Sequence, residues 1–265
     1  MSPTRRFLDH PVPLALAHQG GAREAPENSL EAFERAVRLG YTHLETDARL
    51  TADGQVVLIH DDRLGRVSDR AGLVAQLTYA EIREARLRGP DGAPTDARVP
   101  LLSDVLARLP DAFLNIDAKE DRVVAPLIAT LRAAGAADRV LVASFSAKRL
   151  RRLRGALGPE AASALTLFGV LAVRLRSYGL PVPRPKGDAA QVPERRRVLG
   201  VSVPVADRRF LRTARRWGIQ VHVWTPNTRA ELERLLDLGV DGIITDELTL
   251  LRQILDERAG RSASA

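Results

Sequence analysis

Short apolar runs alternate with stretches of helical spacing along most of the chain. The runs predict strands at residues 14–18, 43–48, 113–119, 140–145, 164–168, 198–203, 220–225 and 242–245. Between them, helical spacing predicts helices at 29–39, 102–109, 122–134, 207–217 and 229–238. Several of these helices stop at a glycine (Gly40, Gly135, Gly218, Gly239), the residue that best adopts the left-handed turn after a helix end. Eight β units alternating with helices predict an α/β fold, a closed parallel (β/α)8 TIM barrel.

One further apolar run, QVVLIHD at 55–61, follows the second strand after only six residues. Parallel neighbours need a crossover of about a dozen residues, so this run cannot be the next barrel strand. Asp53–Gly54 instead signals a hairpin turn. Folding back about it places His60 roughly opposite Asp47, as an extension above the barrel mouth. Residues 64–99 read as an insertion with a short helix near 79–87, too short for an independent core. A proline-rich stretch at 179–193 reads as a loop forming a wall or lid, and the tail at 259–265 as disordered. The whole chain, 1–265, is read as a single barrel domain.

Its 265 residues exceed the usual single-domain length, but an (α/β) barrel of about 250 residues accommodates them. No apolar run reaches the about 18 residues of a membrane span, so no stable membrane insertion is expected. The N-terminus has no apolar signal core, which predicts a cytoplasmic location. With no cysteine there is neither a disulfide nor a thiolate ligand. The net charge of +7 comes almost wholly from arginine, with only three lysines. The arginines are spread over the chain with few interleaved aromatics, so no nucleic-acid partner is expected. An anionic small-molecule substrate fits the charge. The arginine-dense segment 149–155 reads as a solvated helix face.

In such a barrel the C-terminal strand ends face the site. His18 ends the first strand. Glu45 and Asp47, two apart at the end of the second, point the same way, as do Asp117 and Lys119 on the third. His222 and Trp224 share a face of a later strand. His43 and His222 read as structural and His10 as a surface residue. Taken singly, His18 suits a hydrogen-bonded structural role, the carboxylates suit pairing with arginines, and Trp224 suits the core. Together, converging carboxylates must be protonated, paired or metal-bound. Glu45, Asp47 and Asp117 would offer three hard oxygens suited to Mg2+ or Ca2+ more than to zinc, with Lys119 adding positive charge favourable to phosphate.

The segments AHQGGAREAPENS, LETDARLTADGQVVLIHDD, NIDAK, VHVWTPN and GVDGIITD, in this order over residues 14–246, resemble the glycerophosphodiester phosphodiesterase family. The resemblance implies a (β/α)8 barrel and metal-dependent hydrolysis of phosphodiesters. It implies that His18 and His60 are the acid–base pair, and that Glu45, Asp47 and Asp117 hold a divalent cation. Lys119 becomes a phosphate contact, and Trp224 a wall of the substrate pocket. Either histidine suits the initial base, and either a substrate hydroxyl or water suits the nucleophile.

Two positions depart from the family pattern. Gln19 stands where arginine is usual, so a neutral amide replaces a guanidinium fork in the substrate-binding set. Asp117 stands where glutamate is usual, one methylene shorter. Asn28 is expected to cap the first helix with Glu31 completing a capping box, and Gly20–Gly21 to open space for a ligand. The resulting expectation is cleavage of glycerophosphodiesters to glycerol phosphate and an alcohol. Its alternatives are lysophospholipase-D-like action on lysophospholipids and a catalytically weak phosphate-binding barrel.

Overall fold

The computed structural model describes residues 5–198 and 201–263. Eight parallel strands form the barrel: β1 (Leu14–His18), β2 (His43–Leu50), β4 (Phe113–Ala118), β5 (Val140–Ala143), β6 (Ala162–Ser163), β7 (Ala189–Pro193), β10 (Gln220–Trp224) and β11 (Gly242–Thr245). Their lateral order is β6-β5-β4-β2-β1-β11-β10-β7, and a parallel bridge between Ala164 and Ala189 joins the two edges. Helices α1 (Leu30–Arg38), α3 (Leu102–Arg108), α4 (Val124–Ala133), α5 (Ala147–Leu157), α6 (Leu167–Ser177), α7 (Arg208–Arg216), α8 (Arg229–Leu238) and α9 (Leu248–Ala263) surround it. None of the described helices is long and apolar enough to cross a membrane.

Two predicted strands change place. The run at 164–168 is not a strand: Thr166 caps α6 by accepting from the Gly169 N–H at 3.1 Å, so the apolar residues enter a helix. The true sixth element, β6, is only two residues long. The run at 198–203 is not a barrel strand either. β8 (Arg195–Val198) and β9 (Val201–Pro204) pair antiparallel as a separate hairpin, while Leu199 and Gly200 lie outside the described residues. The barrel strand is β7, hidden at the end of the stretch expected to be a loop; its N–H-free Pro193 sits at its last position. Of the tail expected to be disordered, residues 259–263 continue α9, and 264–265 lie outside the described residues.

β3 (Val56–Leu58) pairs antiparallel with β2 and places Ile59 N–H on the Asp47 carbonyl at 2.9 Å, within one residue of the expected His60 register. The insertion after it, including α2 (Tyr79–Ile82), packs a small apolar cluster of Ile59, Leu64, Val67, Val74, Ile82 and Leu87 onto Val57 of the hairpin. It is a satellite of the barrel that raises one side of the mouth.

An aromatic plug closes the opposite end. His43 stacks on Phe113 at 5.0 Å and donates from Nε2 to the Phe7 carbonyl at 2.9 Å. His10, expected at the surface, is half-buried here, its ring 4.5 Å from Phe113 and 4.8 Å from His43. His222 lies deeper, so close to Gly242 that a Cβ there would meet its ring at 2.7 Å. Burial, followed by His43, holds the His222 pKa down at about 3, and burial holds His43 down at about 4. The unfolded chain therefore takes up these protons first, as pH falls below 6.5, and the stability present above that pH is lost toward pH 4. Substituting His222→Asn is expected to shrink the stability loss between pH 7 and 5 by about 2 kcal/mol, read by urea unfolding. An unchanged pH slope would contradict this account of the plug.

Candidate active site

The site is built where β1, β2, β4 and β11 end. His18 is the last residue of β1, and its Nδ1 lies 2.6 Å from Asp246 Oδ1, just past β11. Its Nε2 faces the barrel interior, 3.8 Å from Glu45 Oε2. Asp246 is held by Asn227, whose Nδ2 donates to Asp246 Oδ2 at 2.8 Å. The Asp246 N–H in turn donates to Asn227 Oδ1 at 3.0 Å. The ring is thus fixed from outside the barrel, leaving Nε2 for whatever occupies the mouth.

Inside, Glu45, Asp47 and Asp117 converge, as strand alternation dictates. Lys119 Nζ bridges two of them, at 2.7 Å from Asp47 Oδ1 and 2.8 Å from Asp117 Oδ2. Gln19 donates from Nε2 to Asp47 Oδ2 at 2.8 Å, and Asn28 from Nδ2 to the same oxygen at 3.3 Å. The Gln19 N–H reaches Glu45 Oε2 at 3.2 Å. All three carboxylates are buried, but Asp117 Oδ1 has no hydrogen-bond partner.

The charges follow from that packing. Burial, reinforced by Asp47, pushes the Glu45 carboxyl up to about 8. Burial also works against the Asp47 anion, but Lys119 outweighs it and takes Asp47 below the usual carboxylate range. For Lys119, burial opposes the charge, while Asp47 and Asp117 prevail and raise its pKa. His18 is likewise penalised by burial, yet Glu45, Asp246 and Asp47 lift it to about 9. The cluster carries more negative charge than Lys119 neutralises, and both basic groups beside it, Lys119 and His18, are drawn toward their charged forms.

His60 stands on the exposed rim. Its Nδ1 is 2.8 Å from Asp61 Oδ1, and Asp61 is gripped by Arg66 Nε at 2.6 Å. Arg66 then forms a fork on Glu27, with both nitrogens at 2.7 Å. Hydrogen bonding by Arg66 keeps Asp61 ionised, its pKa held to about 2. Each histidine thus has a carboxylate on Nδ1, and among the described residues no close hydrogen bond claims its Nε2. Trp224 is half-buried at the end of β10, in register between Pro193 and Ile244. Among the described residues it makes no hydrogen bond to the carboxylate cluster.

The Glycerophosphoryl diester phosphodiesterase family model matches residues 18–250, nearly the whole barrel. The chain belongs to this family. It is 37% identical over 264 residues to "Probable glycerophosphodiester phosphodiesterase 2" of Mycobacterium tuberculosis, covering 97% of this chain and 96% of that protein. It is 28% identical over 291 residues to human "Lysophospholipase D GDPD1", covering 95% and 87% of the two chains. The fold also matches an Oleispira antarctica phosphodiesterase solved with sn-glycerol-3-phosphate, with a TM-score of 0.75, 22% identity and coverage of 92% and 97%.

In this family member, the fit of a divalent cation can be judged from the donors. Among the described residues no three His, Asp or Glu groups are arranged to hold a metal ion, and Lys119 serves as counter-charge to Asp47 and Asp117. Even so, the buried, unpartnered Asp117 Oδ1 and the burial and carboxyl crowding that raise the Glu45 pKa beside Asp47 suit a hard cation, so the donor chemistry fits.

Several residues around the site have different roles from those expected. Ser29, not Asn28, caps α1, accepting from the Ala32 N–H at 3.1 Å. Asn28 has a positive φ of 57°, which turns its side chain inward, where Oδ1 accepts from Thr46 Oγ1 at 2.6 Å. Gly20 and Gly21 have a packing role besides the expected one: a Cβ would meet Ala32 at 2.7 Å or Leu248 at 2.8 Å, so they let α1 and α9 close on the mouth. Asp246, Asn227 and Asp61 were missed as orienting groups. The available signal was position, since Asp246 and Asn227 follow strand ends and Asp61 follows His60.

Proposed function

We propose that this barrel hydrolyses glycerophosphodiesters, adding water across a P–O bond to give glycerol phosphate and an alcohol. The observation that carries this reading is the pair of carboxylate-oriented histidines, His18 and His60, flanking a charge-imbalanced carboxylate and lysine cluster. Lys119 and Gln19 line the position of the phosphate, with Trp224 beside the alcohol portion. One histidine Nε2 takes the proton of the attacking hydroxyl or water, and the other returns a proton to the departing oxygen. Asp246 and Asp61 hold the two rings in the tautomer that exposes Nε2. Glu45, Asp47 and Asp117 would hold a Mg2+ or Ca2+ ion, which when bound neutralises phosphate charge and the added charge of the transition state. The substrate is a small molecule in this reading, and the names of the M. tuberculosis and O. antarctica relatives support it. Assembly of both histidines and all three carboxylates at one mouth weighs against a binding-only barrel.

The test is a substrate panel of glycerophosphocholine, glycerophosphoethanolamine and lysophosphatidylcholine with the purified protein. Turnover of the two small diesters is expected. Turnover of lysophosphatidylcholine alone would transfer the reading to lysophospholipase-D chemistry, and no turnover of any would end it.

Gln19→Arg is expected to lower KM for glycerophosphocholine by up to about tenfold, because a guanidinium offers phosphate a charged fork. A KM that stays level or rises would mean that the Gln19 amide is needed on Asp47.

A further inference from the structure

Of the six phenylalanines, Phe7, Phe33, Phe113 and Phe210 are buried. The other two, Phe145 and Phe168, are 80% and 75% exposed, and both stand on the same side of the barrel mouth. Phe145 lies two residues beyond β5 and Phe168 in the first turn of α6, just after β6; β5 and β6 are paired neighbours. Leu167 and Leu171 extend the patch along α6, 58% and 49% exposed. A cluster of large apolar side chains held in water next to an active-site mouth marks a contact surface.

The charge beside it indicates what makes that contact. Helices α5 (AKRLRRLRGAL) and α6 (LFGVLAVRLRS) contain no Asp or Glu; of their seven Lys or Arg residues, Lys148 and Arg149 pair with Asp121, Arg174 pairs with Asp207, and Arg154 bonds Ser163 and the Ala164 carbonyl. Arg151 and Arg152 project from α5 into solvent and make no hydrogen bond or ion pair with any described residue. Exposed aromatic and aliphatic side chains bordered by unpaired cations, with no anion on either helix, complement a negatively charged lipid surface. A protein partner presenting an acidic apolar groove would need a shape complementary to this convex rim, whereas a bilayer adapts to it.

We propose that the rim Phe145–Leu167–Phe168–Leu171, flanked by Arg151 and Arg152, docks the barrel mouth reversibly onto an anionic phospholipid bilayer. The side chains enter the headgroup region while the helices stay outside the hydrocarbon. The mouth is then held against the layer in which apolar phosphodiesters dissolve. This inference stands apart from the hydrolytic reading, because docking requires no turnover.

The experiment is co-sedimentation with vesicles of phosphatidylcholine alone and of phosphatidylcholine mixed with phosphatidylglycerol. Wild type and His18→Ala are expected to pellet equally with the anionic vesicles and far less with the neutral ones. F145S/F168S should weaken anionic binding at least about tenfold, as expected when the apolar anchor is removed. R151E/R152E should weaken it in a salt-dependent way. Both variants replace exposed side chains and should keep the wild-type thermal midpoint and glycerophosphocholine turnover. Absence of wild-type binding, or unchanged binding by F145S/F168S, would overturn the proposal. So would a wild-type dimer in solution that F145S/F168S converts to a monomer, since a second copy would then cover the patch.

Discussion

Replacing His18 by alanine lowers kcat for a glycerophosphodiester by about 10² to 10⁴-fold, the range contributed by a positioned acid–base group. KM should change little, since in the proposed binding mode the phosphate contacts Lys119 and a cation held by the carboxylates rather than the imidazole. The fold is expected to survive, because His18 is one-quarter exposed at a strand end and its contacts are to Asp246 and Glu45. Asp246→Asn separates chemistry from orientation. It keeps the shape but removes the charge that fixes the Nδ1 proton, so kcat should fall to a value between wild type and His18→Ala. Steady-state kinetics on the three proteins checks the order. Wild-type kcat in His18→Ala would remove His18 from the mechanism and leave Asp246 as a purely structural partner.

Asp117→Asn is expected to lower activity by about 10²-fold, comparable to losing one preorganised electrostatic partner of a transition state. The loss should have a second signature. Asp117 is the carboxylate whose buried Oδ1 has no partner, so removing its charge should raise the cation concentration needed for half-maximal activity. Lys119 keeps its contact with Asp47 at 2.7 Å, so the protein should remain folded. A variant with reduced kcat but unchanged cation dependence would mean that Asp117 acts only through Lys119.

The inner layer of the site was legible because strand periodicity and barrel topology act together. Residues two apart at a strand end, such as Glu45 with Asp47 or Asp117 with Lys119, must share the interior face. His60 was located from one hairpin dipeptide, Asp53–Gly54. The outer layer was not legible. Whether Asp246 or an arginine reaches His18 depends on loop geometry that follows from the packing of distant elements. Asn28 shows the same limit: Asn and Ser adjoin, both residue types cap helices, and the backbone at φ 57° sends Asn28 inward and leaves the cap to Ser29. The misplaced strands have a related cause. β6 is too short to show alternation, and β7 reads Ala-Ala-Gln-Val-Pro, without the β-branched run that marks a strand. Arg195–Val198 and Val201–Pro204 show a strand pattern because they pair with each other, outside the barrel.

Gln19 also acquires a defined place. As the neutral substitute for an arginine it sits with its amide on Asp47, next to Lys119, so that Lys119 is the cation nearest the carboxylates. Its buried position makes it part of the cluster's hydrogen-bond network as well as a candidate phosphate contact.

Cation-assisted hydrolysis of a glycerophosphodiester at this barrel mouth has a direct readout. It is tested most directly by following glycerol phosphate release from glycerophosphocholine by 31P NMR, in Mg2+ or Ca2+ and again after chelation. Release is expected with added cation, with its loss on chelation, its return on adding the ion back, and a rate at least about 10²-fold lower in His18→Ala. Release that persists undiminished in chelator would contradict the role given to Glu45, Asp47 and Asp117, and no release under any cation would contradict the function.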